Sequence, residues 1–126
     1  MSASPDRLRV PPRERFSGSE RIFDLETAFA QLPAESVSRQ GHVQKTLYRL
    51  GPTTTAIFSF EAGGGLHQYT VDGEAIAHVI KGRLRISTAG NEYQLTSNQM
   101  LLLDPGVPHE LNALEPSQLL LTVVLK

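Results

Sequence analysis

A chain of 126 residues makes one domain, long enough to bury roughly two-thirds of the surface its unfolded form exposes. A formal net charge of -1 supplies no basic field for nucleic acid, and the absence of cysteine excludes disulfides, thiolate nucleophiles and Cys-ligated zinc. The opening MSASPDRLRVPP lacks an apolar signal-peptide core and no run approaches the ~20 apolar residues of a membrane span, so a cytoplasmic protein without membrane partners is expected.

Residues 1–20 carry Pro5, Pro11, Pro12 and four arginines among few apolar side chains, and read as an N-terminal arm ahead of a single domain over 21–126. Phe23 to Leu32 predicts a short helix. Asp24 is placed to cap it, Leu25, Phe29 and Leu32 share one face, and Pro33 stops it. From Val43 the texture becomes that of strands. Val43–Leu50 alternates up to Gly51-Pro52, Thr53–Phe60 is β-branched and aromatic, and the glycines at 63, 64 and 65 interrupt the pattern. Glu74–Ile80 and Arg83–Thr88 follow around Gly82, a residue suited to a positive-φ turn. Ala89-Gly90-Asn91 turns into Glu92–Leu95, Met100–Leu103 is wholly apolar, His109–Leu114 alternates, and Gln118–Leu125 closes the chain. About eight short strands separated by turn residues predict an all-β barrel or a double-sheet sandwich.

Two segments carry side chains capable of chemistry. GGGLHQYTVDGEA presents His67, Tyr69 and Glu74 ahead of a strand, and DPGVPHELNA holds His109 at the start of another, behind a Pro105-Gly106 turn. Imidazole binds metal and transfers protons near neutral pH, so two histidines from different strands, meeting inside a barrel, would make half a metal site. They would equally serve as polar groups for an organic ligand. His78 lies in an apolar run with parity opposite to Val79 and reads as a packed residue at a sheet or subunit interface. His42, beside Gly41, reads as solvated. The glycine triplet opens no helix and makes no phosphate cradle, and Ser97 and Ser117 have no activating neighbour.

Together these segments resemble a small single-domain cupin, a double-stranded β-helix barrel of the jelly-roll class. That family's second motif, G-x5-P-x-G-x2-H-x3-N, is met by Gly106 and His109. Asn98, Asp104 and Ala113 replace its other glycine, proline and asparagine, while Pro105 and Asn112 stand one place away. The first motif, G-x5-H-x-H-x3-4-E-x6-G, aligns in two registers. Counting back from Gly82 puts Ala75 at the glutamate and Gln68 and Thr70 at the histidines. A shift of one residue aligns His67, Tyr69 and Glu74 instead, and a bulge near Gly73 would turn Glu74 inward.

The resemblance implies an all-β cupin barrel with an N-terminal arm and one short helix, its interior lined by His67, Tyr69, Ala77, Val79, His109 and Leu111. It implies a divalent Fe, Mn, Ni or Zn ion, for which His67, His109 and Glu74 are the candidate ligands. It also implies a homodimer, with the arm from Arg7 to Phe16 as the exchanged segment. Two functions follow. One is a binding module for a small molecule, with weak or absent metal binding. The other is a metal-dependent oxygenase or isomerase acting on a small organic acid or sugar-like compound, with Tyr69 orienting substrate.

Overall fold

The computed structural model describes residues 20–33 and 39–126, with Gln68 and Tyr69 described in backbone only. The arm expected from Arg7 to Phe16 lies outside the described residues. One short helix, α1 (Leu25–Ala30), precedes the strands; Asp24 caps it by accepting the Thr27 N–H at 3.3 Å. Six residues cannot hold a helix in water, and α1 is held by packing. It lies against the second strand with Phe29 buried, while the Phe23 ring stacks on Tyr48 at 5.4 Å.

Nine strands follow among the described residues: β1 (His42–Leu50), β2 (Thr53–Phe60), β3 (Gly65–Tyr69), β4 (Gly73–Lys81), β5 (Arg83–Thr88), β6 (Glu92–Thr96), β7 (Met100–Leu103), β8 (His109–Ala113) and β9 (Ser117–Leu125). They form two antiparallel sheets, one of order β1-β2-β9-β4-β7 and one of order β3-β8-β5-β6. This is the expected jelly roll. Eight strands match those read from the sequence to within about two residues; β3 is the addition. No helix among the described residues is long and apolar enough to cross a membrane.

The inner faces meet in one core. Phe58, Phe60, Ala75, Ala77, Val79, Leu119 and Leu121 come from the first sheet, and Leu84, Ile86, Leu95, Leu111 and Ala113 from the second. Alternation along β4 buries Ala75, Ala77 and Val79 and leaves Glu74 exposed and Ile76 and His78 half-buried. β7 is the outer strand of its sheet, so its apolar run is only partly covered: Met100 and Leu102 are 62% and 59% exposed. The chain crosses from one sheet to the other at Gly82. Its φ of 93° is reserved for glycine, and a Cβ there would collide with the Ser117 hydroxyl. Ser117 fastens this corner, accepting the Arg83 N–H at 3.0 Å and donating to the Glu115 carbonyl at 2.7 Å.

Candidate functional site: a cavity between the two sheet edges

Where β1 and β3 edge their sheets, the shell leaves a cavity of about 350 Å³. Gln40, Gln44, Phe58, Leu66, His67 and Leu121 line it. The register of β1 against β2 explains the mixed lining. His42 stands opposite Phe60 and Gln44 opposite Phe58, so the exposed Gln44 amide borders the aromatic side chains of β2 at the edge of the sheet. Leu66 on β3, opposite Leu111 on β8, supplies apolar wall from the facing sheet.

His42 corrects the sequence reading, which left it solvated. It is only 8% exposed, because β1 begins at this residue and pairing with Phe60 turns the ring inward. The ring sits 5.7 Å from Phe58 and 5.6 Å from Phe60, which stack on each other at 5.9 Å. Its Nδ1 is 3.2 Å from the Gly65 carbonyl oxygen and its Nε2 3.2 Å from Gln44 Oε1.

The two histidines singled out in the sequence border different cavities. His67 lies at the rim of the cavity with a side chain 67% exposed, and its Nδ1 donates to Glu110 Oε2 at 3.1 Å. His109 is buried on the inner face of β8 and donates from Nδ1 to the Val107 carbonyl at 3.0 Å. It borders a different cavity of about 250 Å³, where β5 ends and β8 begins, together with Ser87, Thr88, Ala89, Pro108 and Glu110. Period-two alternation accounts for the split: Glu110, not His109, shares the outward face on which His67 is paired.

Ala77, Val79 and Leu111 do face inward as expected, but they are packed into the core and line neither of these cavities. Tyr69 pairs with His109 across β3 and β8; the role expected of its side chain falls outside the described residues. Glu74 is exposed on the outer face of β4. Its pairing with Val124 follows directly on that of Gly73 with Leu125, and the irregularity in this ladder falls between Val79 and Lys81. No bulge near Gly73 turns it inward. Among the described residues, no three His, Asp, Glu or Cys side chains group to hold a metal ion. The donor set of His67, His109 and Glu74 therefore does not fit the ion that the resemblance implied.

Gln40, Gln44, Phe58, Leu66 and Leu121 were not anticipated as lining residues. The signal available was the shared parity of His42 with Gln44 on β1 and of Phe58 with Phe60 on β2.

Two antiparallel sheets closing around one core, with a cavity at their open edge, define a small cupin-type β-barrel. Comparison with known proteins gives the family within that class: the AraC-like ligand binding domain matches residues 61–124, and the chain belongs to it. No curated protein matches the chain. Among solved structures, it is similar to an RmlC-like cupin from Shewanella frigidimarina, with a TM-score of 0.70, 18% identity, and coverage of 86% of this chain and 93% of that one. A conserved protein of unknown function from Streptococcus pyogenes gives a TM-score of 0.67 and 22% identity over 86% and 90% of the two chains. KdgF from Halomonas sp. gives 0.66 and 17% over 72% and 85%. At these identities the likeness is one of fold.

Proposed function

We propose that this chain is a small-molecule binding domain whose guest enters the cavity between β1 and β3. The observation that carries this reading is the lining itself. Phe58, Leu66 and Leu121 offer an apolar wall, while Gln40, Gln44 and His67 offer hydrogen-bonding groups at one opening. A void of about 350 Å³ lies at the small end of the range for ligand sites, which bind through an apolar surface with a few fixed polar groups. The guest is thus a compact molecule with a flat or apolar body and a polar end. The family to which the chain belongs is described as ligand-binding, in agreement with this reading. The metal-dependent alternative requires donors that the described residues do not group.

The test is a thermal-shift screen of the full chain against small polar aromatics and organic acids, repeated on Leu66→Trp, which fills the cavity. A guest at about 100 times its Kd adds about 2.7 kcal/mol of stability to a protein that binds it only when folded. The gain should disappear in Leu66→Trp; a gain of equal size there would place the guest elsewhere. We propose in addition that the chain forms a homodimer. β7, an outer strand of its sheet with Met100 and Leu102 exposed, gives such pairing an unpaired ladder and apolar surface among the described residues. Solution mass measurement decides this, and a monomer at micromolar concentration would overturn it.

A further inference from the structure

The outer face of the β1-β2-β9-β4-β7 sheet is apolar on both sides of its middle strand, β9. On the β2 side it is covered. Ile57 shares the outward row with Leu120 on β9, yet it is fully buried, since α1 lies against β2 with Phe29 buried. On the β7 side the face is open. Leu102 stands beside Ile76, and Met100 and Leu120 stand on either side of His78. Ile76, His78 and Leu120 are half-buried, and Met100 and Leu102 are exposed. The solvated face of an antiparallel sheet is ordinarily polar, and an apolar one marks an interaction surface.

The charges at the two ends of this surface indicate which partner fits it. Glu74 opens β4 on the outward row. The irregularity between Val79 and Lys81 brings Lys81 opposite Gln118, and so onto the same row. An acid and a base thus stand about 23 Å apart along one strand, with Ile76 and His78 between them. Neither is in an ion pair among the described residues. Opposite charges placed symmetrically about an apolar middle are complementary to their own copy turned through 180°. A two-fold axis passing through the face between Ala77 and His78 lays a second β4 antiparallel over the first. Glu74 then meets the partner's Lys81, and the same contact recurs at the other end. Packed sheets lie about 10 Å apart, a gap that a glutamate and a lysine reaching from opposite sides can close.

We propose that the open half of this face docks a second copy of the chain, held by Ile76, Met100, Leu102 and Leu120 at the centre and by two Glu74–Lys81 pairs at the ends. This rests on the homodimer proposed above and assigns it to the outer face of the sheet, in place of ladder pairing along β7. Ladder pairing would put the two copies of β4 three strand spacings apart, about 14 Å in the plane of the sheet, with no contact between Glu74 and the partner's Lys81.

Sedimentation equilibrium on the full chain tests the assignment. Glu74→Lys and Lys81→Glu are substitutions at exposed positions, and each sets like charges against each other at both ends. Each should weaken the dimer about ten-fold, and the double variant, which restores both pairs in reverse, should return it to within about two-fold of the wild type. Leu120→Asp lies on β9, two strands in from β7, and should leave only monomer. Circular dichroism melts check that each variant is folded. A dimer indifferent to both charge reversals overturns the assignment and leaves the homodimer standing. Weakening that the double variant does not repair overturns the antiparallel placement. A wild type that is monomeric at micromolar concentration overturns the assignment and the homodimer together.

Discussion

Four glycines make a controlled experiment on what holds the barrel corner together. Gly82 combines a φ of 93° with close neighbours: a Cβ there would lie 2.5 Å from the Pro116 oxygen and closer still to the Ser117 hydroxyl. Gly63 has φ of 85° in open space, so it isolates the backbone cost. Gly65 has ordinary φ but would drive a Cβ into the Leu111 carbonyl, so it isolates the steric cost, and Gly90 has neither. Placing alanine in a left-handed conformation costs about 1–2 kcal/mol, and forcing a methyl group into occupied space costs about 1–3 kcal/mol. Gly63→Ala should thus lose about 1.5 kcal/mol, Gly65→Ala about 2, and Gly82→Ala about 3.5 as the approximate sum, with Gly90→Ala within about 0.5 of neutral. At about 4 °C per kcal/mol for a chain of this length, Tm should fall by about 6, 8 and 14 °C for the first three. Far-UV circular dichroism melts, with urea titrations to check that the slope is unchanged, provide the measurement. A Gly82→Ala variant no less stable than Gly63→Ala would refute the steric half of the reasoning. A neutral Gly63→Ala would refute the backbone half.

Other outcomes follow from the same structure. Ser117→Ala leaves the Arg83 N–H without its buried hydroxyl acceptor and should lose about 1–3 kcal/mol in urea unfolding. The His67–Glu110 pair is largely exposed, so a double-mutant cycle with His67→Ala and Glu110→Ala should give a coupling of about 0.2–1 kcal/mol, reduced in high salt. Fe, Mn, Ni or Zn added in ten-fold excess should move Tm by less than about 1 °C, because a tightly held ion must stabilise the folded state. A larger rise, abolished in His109→Ala, would restore the metal reading. Leu102→Lys on β7 should cost little monomer stability and shift solution mass downward if that edge carries the dimer.

Much of the architecture could be read from residue order because strands here are short, alternating and bounded by turn residues. Arg83–Thr88 and Met100–Leu103 fall where β-propensity and turn chemistry put them. The inward parity of Ala75, Ala77 and Val79, with Glu74 outside, was likewise visible in the alternation of β4. β3 was not, since a strand that begins with glycine has no β-propensity to announce it. Gly65 belongs there because only a residue without Cβ lets β3 approach the Leu111 carbonyl. The exposure of Met100 and Leu102 depends on β7 being outermost, a fact of strand order that no local pattern encodes. His42 was hidden by its polar neighbours, although its partners Phe58 and Phe60 are far along the next strand. The cavity is harder still. Its walls come from β1, β2, β3, β9 and the segment before β1, and register alone brings Gln44, Leu66 and Leu121 to one place.

Among the described residues, β1 and β3 each belong to a ladder on one side only, and not to each other's. The segments leading into them meet, among the described residues, at one end, where the Gly65 N–H reaches the Gln40 carbonyl at 2.8 Å, the Glu61 N–H reaches that of Gly41 at 2.9 Å, and the His42 ring touches Gly65. The entrance is therefore built like a clasp with its pivot at residues 40–42 and 61–65. Splaying the jaws beyond that pivot bends two strands without unzipping either sheet. On the proposed reading, a guest bulkier than the resting space would be met by bending of these two strands rather than by the loss of a ladder rung.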